Sequence, residues 1–136
     1  MQNVLYREES YKIVGAAMNA HCILGCGFLE PVYQEALQIE LELSDIPFQR
    51  EVFLPIAYRG MQLSKRYVAD FVCYGKIIVE LKALSAIASE HKAQVINYLK
   101  AANFELGILF NFGTASLAYE RIIREHSRNR EVSELC

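Results

Sequence analysis

Three consecutive stretches of strand character, joined by short turns, constrain this chain most strongly. Residues 49–58, 66–74 and 77–82 are each rich in Val, Ile, Phe or Tyr, which favour pleated strands. The segments Arg59-Gly60 and Tyr74-Gly75-Lys76 separate them, and short glycine-containing turns join neighbouring antiparallel strands. The sequence therefore predicts two successive hairpins.

Helical periodicity flanks these strands, with apolar residues at three- and four-residue steps. Gly25 and Gly27 end the first helix, and Ser89 is the predicted N-cap of the third. The order predicts a mixed α/β domain with helices packed against one sheet. The further predicted elements are helices over residues 11–24, 31–43 and 89–102, a buried strand over 106–112, and a strand or helix over 117–124.

The apolar faces of the first two helices carry polar residues. The first face contains Val14, Ala17, Met18 and His21. At 100° per residue, Glu40 falls in the middle of the second face, Glu30 falls near its edge, and Glu35 points away. A carboxylate on an apolar face needs a partner, so Glu40 is either an acid that supports the ligands of a site without binding the metal itself, or the partner of a buried Arg or Lys. The apolar residues of the second helix are Val32, Tyr33, Ala36, Leu37, Ile39 and Leu43.

Length and composition limit the class of protein. The 136 residues, 53% of them hydrophobic and 22% charged, predict a single domain over residues 1–136 with a frayed polar tail at 125–136. No apolar run approaches the roughly 18 residues of a membrane span, so we expect a cytoplasmic protein without membrane contact. The cysteines are too irregularly spaced for a disulfide framework and are predicted to be buried free thiols. They are Cys22, Cys26, Cys73 and Cys136.

The formal net charge of -2 excludes a histone-like or polybasic protein. Residues 1–60 hold four basic and eight acidic residues, whereas residues 61–136 hold ten basic and eight acidic residues. A polyanion would therefore meet the second half first. The arginines at positions 121, 124, 128 and 130 either contact a phosphate backbone or form a solvated end of mixed charge.

Asp70 and Glu80 are predicted to face each other across the second hairpin. Each lies five residues from Gly75, and two carboxylates at that distance repel unless one is protonated or a cation lies between them. Hard oxygen ligands on neighbouring strands suit Mg²⁺ or Mn²⁺. Lys82 lies two residues after Glu80 on the same face, where it could orient or deprotonate a water or hold a phosphate oxygen. This set predicts metal-assisted phosphodiester hydrolysis.

The strand alternation behind this prediction assigns each side chain to a face. Glu80 and Lys82 share a face with Ile78, opposite Ile77, Val79 and Leu81. On the preceding strand, Val68, Asp70 and Val72 are placed opposite Tyr67, Ala69, Phe71 and Cys73. The structural alternative is that Asp70, Glu80 and Lys82 form the solvated side of an edge hairpin, in which Glu80 and Lys82 simply pair. Against it, both acids lie within strongly apolar runs, which are typical of central strands.

Several motifs together resemble those of a known family. Asp70, Glu80-Leu81-Lys82 and the helical pair Gln94 and Tyr98 resemble the D…E-x-K…Q-x-x-x-Y series of the PD-(D/E)XK nuclease superfamily, in its RecB-like branch. Upstream, Gly27-Phe28-Leu29-Glu30-Pro31-Val32-Tyr33 matches the motif of the small GxxExxY proteins. Residues 107–113 resemble the fourth core strand of the family, so the resemblance runs from about residue 13 to residue 113. The proline that precedes the family's aspartate is replaced by Ala69.

The resemblance implies a restriction-endonuclease-like core (α-βββ-α-β) with an extra N-terminal helix and a mixed sheet flanked by helices. It implies that Asp70, Glu80 and the Leu81 backbone carbonyl bind Mg²⁺ or Mn²⁺, and that Lys82 is the catalytic lysine. Glu30 matches the first-helix glutamate that completes the metal shell in many members. Gln94 and Tyr98 match a pair that supports the site or touches substrate.

Two histidines leave alternatives open. His21 is either a metal ligand or a hydrogen-bonded core histidine, and its position on the Val14 and Met18 face favours the core role. His91 lies either at the rim of the site or at the surface near a helix N-terminus.

The resulting prediction is a metal-dependent nuclease that acts on nucleic acid, with DNA favoured over RNA. The alternative is a non-catalytic binding or regulatory module that retains the fold and acts as a homo-oligomer or a partner subunit. A third option is a protein that binds a small anionic ligand through Lys82. Because so small a domain has little surface with which to hold a long duplex, a homodimer or a partner protein is expected.

Overall fold

The computed structural model describes residues 4–125, and its elements follow the predicted order. The five strands form one sheet in the order β1-β2-β3-β4-β5, in which only the β3–β4 pair is parallel. This mixed sheet, flanked by helices, confirms the predicted fold class, whereas the predicted frayed tail lies outside the described residues except for residue 125. The elements are α1 (Arg7–Leu24), α2 (Glu30–Leu43), β1 (Phe48–Tyr58), β2 (Met61–Cys73), β3 (Ile77–Lys82), α3 (Ser89–Ala102), β4 (Leu106–Asn111) and β5 (Ala118–Ile123).

Both predicted hairpin turns are confirmed. Arg59 and Gly60 both have left-handed backbone conformations, with φ of 52° and 80°, as a two-residue turn between twisted strands requires. In the second turn, Tyr74 and Gly75 have φ of 57° and 67°. The β2–β3 pairs, from Cys73 opposite Ile77 to Phe71 opposite Val79, are equidistant from Gly75, which is the predicted register.

Two apolar cores lie on opposite faces of the sheet. One contains residues of α1 and α2 together with Ile77, Val79 and Leu81 of β3, and the other contains residues of α3 together with Ile78. The predicted alternation of β3 is therefore confirmed. Gly107 permits the close packing of α3, because a Cβ atom at this position would lie 2.6 Å from Val95 Cγ1.

The predicted alternation of β2 is wrong at Asp70. Tyr67 packs against Tyr98 of α3, with ring centroids 4.8 Å apart, whereas Phe71 packs against Phe48 on the opposite face, next to the core of α1 and α2. Residues four apart on a regular strand share a face, so the strand reverses its faces between these two positions. Opposite Asp70, Glu51 of β1 has a left-handed φ of 54°, which regular strands do not adopt. The sheet is therefore kinked at the level of Asp70.

The buried face of α2 differs from the predicted stripe. The structure buries Tyr33, Gln34, Leu37 and Leu41 and leaves Val32, Ile39 and Leu43 exposed. At 100° per residue, Glu30 lies in the middle of this observed face and Glu40 toward its edge, the reverse of the prediction. Apolar residues occur on several sides of α2, but only one narrow side of this helix meets α1 and β3. Met18 of α1 is exposed for the same kind of reason, since it lies outside the side that packs.

Three smaller predictions are also corrected. The N-cap of α3 is Ala88 instead of Ser89, and the Ala88 N–H donates to Nδ1 of His91 over 2.9 Å. Cys22 and Cys26 are free but exposed, and Cys73 is free and buried; Cys136 lies outside the described residues. Within residues 4–125, no helix is both long and apolar enough to cross a membrane.

Candidate functional site

The strands β2 and β3 diverge where the two predicted acids lie. Backbone pairing ends at Phe71 opposite Val79, and beyond it side chains take over the backbone groups. The Asp70 N–H donates to Glu80 Oε2 over 2.6 Å, and the Leu81 N–H donates to Asp70 Oδ2 over 2.8 Å. The two carboxyl groups are therefore held by backbone groups at the fork between the strands, close to each other as predicted.

Burial makes this pair of acids electrostatically costly. Glu80 is only 5% exposed, and Asp70 is half-buried. Desolvation, and then the charge of Asp70, raise the pKa of Glu80 to about 8. Desolvation is also the main cause that raises the pKa of Asp70 to about 6, against the hydrogen bond from Leu81, which lowers it. The fork therefore favours a proton or a cation between the two groups.

The alternative of a solvated edge hairpin is wrong. β3 is the central strand of the sheet, with β2 on one side and β4 on the other. Glu80 is buried, and none of the ion pairs among residues 4–125 joins Glu80 to Lys82. The acids are therefore not explained as surface charges.

Lys82 lies beside the acids without being paired to either. It is half-buried at the end of β3, and its positive charge lowers the pKa of both Asp70 and Glu80. Within the described part of the chain its ammonium group has no ion-pair partner within 4 Å. This leaves its three N–H donors available to a phosphate oxygen or a water.

The Leu81 carbonyl faces the same fork. The neighbouring Lys82 carbonyl accepts a hydrogen bond from the Phe112 N–H, on the β4 side of β3. Successive residues of a strand direct their backbone groups to opposite sides, and the N–H and C=O of one residue share a side. Because the Leu81 N–H points to Asp70, its carbonyl also points toward β2.

A buried glutamine, which the sequence analysis missed, orients Asp70. Gln34 Nε2 donates to Asp70 Oδ1 over 3.3 Å, while Gln34 Oε1 accepts a hydrogen bond from Arg50 over 3.0 Å. Arg50 also donates to Gln38 over 2.6 Å. The guanidinium, which can only donate, fixes the amide so that its NH₂ group faces the carboxylate. The available signal was the position of Gln34 one helical turn after Glu30.

The Gly27–Tyr33 motif divides into structural and site residues. Tyr33 is fully buried; its hydroxyl donates to the Gly25 carbonyl over 2.5 Å and accepts from the Phe28 N–H over 3.2 Å. Gly27 has φ of 114°, a conformation that favours glycine. These two residues hold the loop from which α2 begins, and Glu30 is the first residue of that helix.

Glu30 lies near the acid pair without joining it. Its charge raises the pKa of both Asp70 and Glu80, so it acts on the same fork. Within residues 4–125, however, no three His, Cys, Asp or Glu side chains form a group that could hold a metal ion. The structure thus brings together two of the three predicted acids.

Tyr98 and Gln94 lie one turn apart on α3, on the other side of the fork. Tyr98 is 7% exposed, and burial together with the charges of Glu80 and Asp70 raises its pKa to about 12. It is therefore a neutral phenol at physiological pH. Gln94 is half-buried and has no hydrogen-bond partner among the described residues.

The remaining candidates lie elsewhere. His21 donates from Nε2 to the Thr114 carbonyl over 3.0 Å and packs against Phe112, which confirms the favoured role of a core histidine. His91 caps α3. Glu40 has no ion pair within residues 4–125, so the described residues do not support the alternative in which it pairs with a buried Arg or Lys.

A second missed residue, Asn111, fixes the chain that leaves Lys82. Its side chain is 2% exposed, accepts from the Leu84 N–H over 2.9 Å and donates to the Leu84 carbonyl over 3.0 Å. Gly113 allows the close approach, because a Cβ atom there would lie 2.3 Å from the Leu84 carbonyl oxygen. The signal was a single amide within the apolar run of β4.

The donor set at the fork fits a hard divalent cation. Two carboxylates and one backbone carbonyl supply oxygen ligands only, and Mg²⁺ is commonly bound through one or two carboxylates while it keeps several waters. The cation would also offset the burial, and the repulsion from neighbouring carboxylates, that raise the pKa of both groups.

Comparison with known proteins places the chain in a family. A family model described as the PD-(D/E)XK nuclease superfamily matches residues 7–124, which include every residue of the fork. A solved structure titled "Crystal structure of SSO0001" has a TM-score of 0.58 and 21% sequence identity to this chain. That similarity shows the fold alone; it covers 76% of this chain and 54% of the other, so this chain spans about half the length of that protein. No curated protein matches the chain.

Proposed function

Because this chain belongs to the PD-(D/E)XK nuclease superfamily, we propose that it is a metal-dependent nuclease that hydrolyses phosphodiester bonds of DNA in preference to RNA. The observation that carries the proposal is the pair formed by the half-buried Asp70 and the buried Glu80 at the β2–β3 fork, with the unpaired Lys82 on the same strand as Glu80. The motif from Gly27 to Tyr33 further supports membership of the GxxExxY proteins in the RecB-like branch.

Asp70, Glu80 and the Leu81 carbonyl would hold Mg²⁺ or Mn²⁺. When bound, such a cation polarises the phosphoryl oxygen and lowers the pKa of a coordinated water. Gln34 keeps Asp70 in position through its amide, and the Leu81 N–H restrains the second carboxylate oxygen. Glu30, at the start of α2, would add a further negative charge near the cation.

Lys82 supplies the mobile donors of the site. Its ammonium group would donate to a non-bridging phosphate oxygen or orient the attacking water, since no carboxylate of the described residues occupies it. Tyr98 and Gln94 would contact the substrate from α3. Tyr98, as a neutral phenol, can donate a hydrogen bond to an anionic oxygen.

The direct test is to incubate the pure protein with Mg²⁺ or Mn²⁺ and with duplex DNA, single-stranded DNA and RNA. We expect cleavage that EDTA abolishes and that Asp70→Asn reduces at least a hundredfold. Asp45→Asn is the matched control, because Asp45 is exposed after α2 and asparagine tolerates its left-handed backbone.

Cleavage that persists in EDTA or in Asp70→Asn would contradict the proposal. A calorimetric titration separates the alternative function. If millimolar Mg²⁺ and Mn²⁺ both fail to bind, the protein is a non-catalytic module that keeps the nuclease fold.

A further inference from the structure

A two-stranded arm extends the sheet beyond the fork. β1 and β2 pair up to the turn at Arg59, with a shift in register between Pro55 and Ala57, whereas β3 pairs only with the last residues of β2, from Phe71 to Cys73. Residues 52–69, which we call the hairpin arm, therefore lie between Glu51 and Asp70 at the kink. β1 covers the distance to the tip in the seven residue steps from Glu51 to Tyr58, so at roughly 3.3 Å per residue the tip lies about 23 Å from the level of Asp70.

The hairpin arm is basic in an otherwise acidic protein. It contains three basic residues, Arg59, Lys65 and Arg66, and no acidic residue, although the chain has a formal net charge of -2. All three are exposed, and within residues 4–125 none of them forms an ion pair. An uncompensated basic surface in a protein of negative charge is a local attraction for a polyanion. The charge totals of residues 1–60 and 61–136 do not reveal this basic segment, because the division at residue 60 lies within the hairpin arm.

One of these cations is held in place by an aromatic ring. The Arg66 guanidinium lies 3.9 Å from the centroid of the Phe53 ring, on the opposite strand of the arm. Phe53 is itself 58% exposed, so the pair is part of the surface. Stacking restrains the guanidinium and leaves its in-plane N–H groups free to bind a phosphate.

The other candidate for phosphate contacts is the group of arginines near the C-terminal end, and two of these already form hydrogen bonds within the protein. Arg121 donates to Ser10 Oγ and to the Leu5 carbonyl, and Arg124 donates to Asn103. Arg128 and Arg130 lie outside the described residues. Among the described residues the unpaired cations of the hairpin arm are therefore the better candidates for phosphate contacts.

We propose that the hairpin arm binds the phosphodiester backbone of the nucleic acid whose scissile phosphate enters the β2–β3 fork. This inference rests on the proposed function. The arm leads directly to Asp70, and its reach of about 23 Å is about two thirds of one turn of a B-form duplex, which is about 34 Å. It would thus contact phosphates remote from the cleaved one and supply the grip that the acidic remainder of the protein lacks.

The test measures binding separately from cleavage. Fluorescence anisotropy of a short labelled duplex, and of its single strand, is recorded in EDTA over a range of salt concentrations with the full chain. The arm variant is Arg59→Gln/Lys65→Gln, which leaves the Arg66–Phe53 contact intact. The control is Arg7→Gln/Lys12→Gln, which removes the same charge from exposed positions of α1.

We expect the arm variant to reduce the slope of log Kd against log salt by about 2, since each phosphate contact contributes about 0.9, while the control keeps the wild-type slope. Equal effects of both variants, an unchanged slope in the arm variant, or no binding by the wild type would each overturn the proposal. So would sedimentation that shows a dimer in the wild type and a monomer in the arm variant without a change in slope, because the arm would then bind a second copy. If the protein cleaves DNA but the arm variant binds it as the wild type does, only the binding role of the hairpin arm is refuted. If the arm variant shows the expected loss of slope but the protein has no metal-dependent cleavage, only the proposed nuclease activity is refuted.

Discussion

The Asp70 backbone N–H donates to the Glu80 carboxylate over 2.6 Å, although burial and the Asp70 side chain both disfavour the charge on Glu80. This hydrogen bond holds the Glu80 carboxylate at a buried position, although hydration would favour a position at the surface. This arrangement has a cost in the metal-free protein, and the cost depends on pH.

Stability of the metal-free protein should fall as pH rises. The folded protein binds the protons of Asp70 and Glu80 more tightly than the unfolded chain, because folding raises both pKa values, to about 6 and about 8. Their contribution is therefore most favourable below the ordinary carboxyl pKa of about 4 and is lost as pH rises through these values. In EDTA, Glu80→Gln should be more stable than the wild type by on the order of 2 kcal/mol at about pH 8.5 and nearly equal to it at about pH 4.

Urea denaturation at the two pH values measures this difference. Glu35→Gln is the control, because Glu35 is exposed on α2 and its substitution should leave the pH dependence unchanged. The same pH dependence in Glu80→Gln and the wild type would mean that Glu80 is not a source of this instability.

Removal of the Gln34 amide should weaken metal binding without removing a ligand. Gln34→Ala deletes the hydrogen bond that orients Asp70, and loss of such a supporting group typically costs about tenfold or more in metal affinity. Gln38→Ala is the matched control, since Gln38 accepts a hydrogen bond from Arg50 and forms none with Asp70. Calorimetric titration with Mn²⁺ compares the two, and equal affinities would show that Gln34 has no part in positioning the carboxylate.

The hydroxyl of Tyr33 should stabilise the loop that precedes α2. Tyr33→Phe removes two hydrogen bonds, to Gly25 and from Phe28, and leaves these backbone groups without their partner. We expect a loss of about 1–3 kcal/mol in the free energy of unfolding. Tyr11→Phe, at a residue that is 81% exposed, should change it little. If both variants unfold at the same urea concentration, the hydroxyl does not support the loop.

The turns and the register could be predicted because local chemistry determines them. Glycines that follow a strand and alternating apolar runs fixed both hairpins, and the position of Gly75 then placed Asp70 opposite Glu80. These features depend on residues close together in the sequence.

The kink and the partners of Asp70 could not be predicted in this way. A left-handed glutamate at position 51 gives no compositional signal, since this conformation is unusual for any residue with a side chain. Gln34 and Arg50 reach Asp70 from other elements, so their role depends on how α2 packs on the sheet. The same packing decided that Glu30, instead of Glu40, lies in the middle of the buried face.

The basic residues of the hairpin arm can be read from the sequence, but charge totals over the two halves of the chain combine them with acidic residues elsewhere. Their significance depends on β3 being shorter than β1 and β2, which leaves residues 52–69 beyond the part of β2 that pairs with β3.

The role of Lys82 in metal-dependent hydrolysis is tested most directly by comparing cleavage by Lys82→Ala with cleavage by the wild type. We expect the variant to bind Mg²⁺ as the wild type does but to cleave DNA about 10² to 10⁴ times more slowly, because the unpaired ammonium beside Asp70 and Glu80 is lost. Lys12→Ala, at an exposed position of α1, should cleave at the wild-type rate. Equal cleavage by Lys82→Ala and the wild type would contradict the proposed nuclease mechanism at the β2–β3 fork.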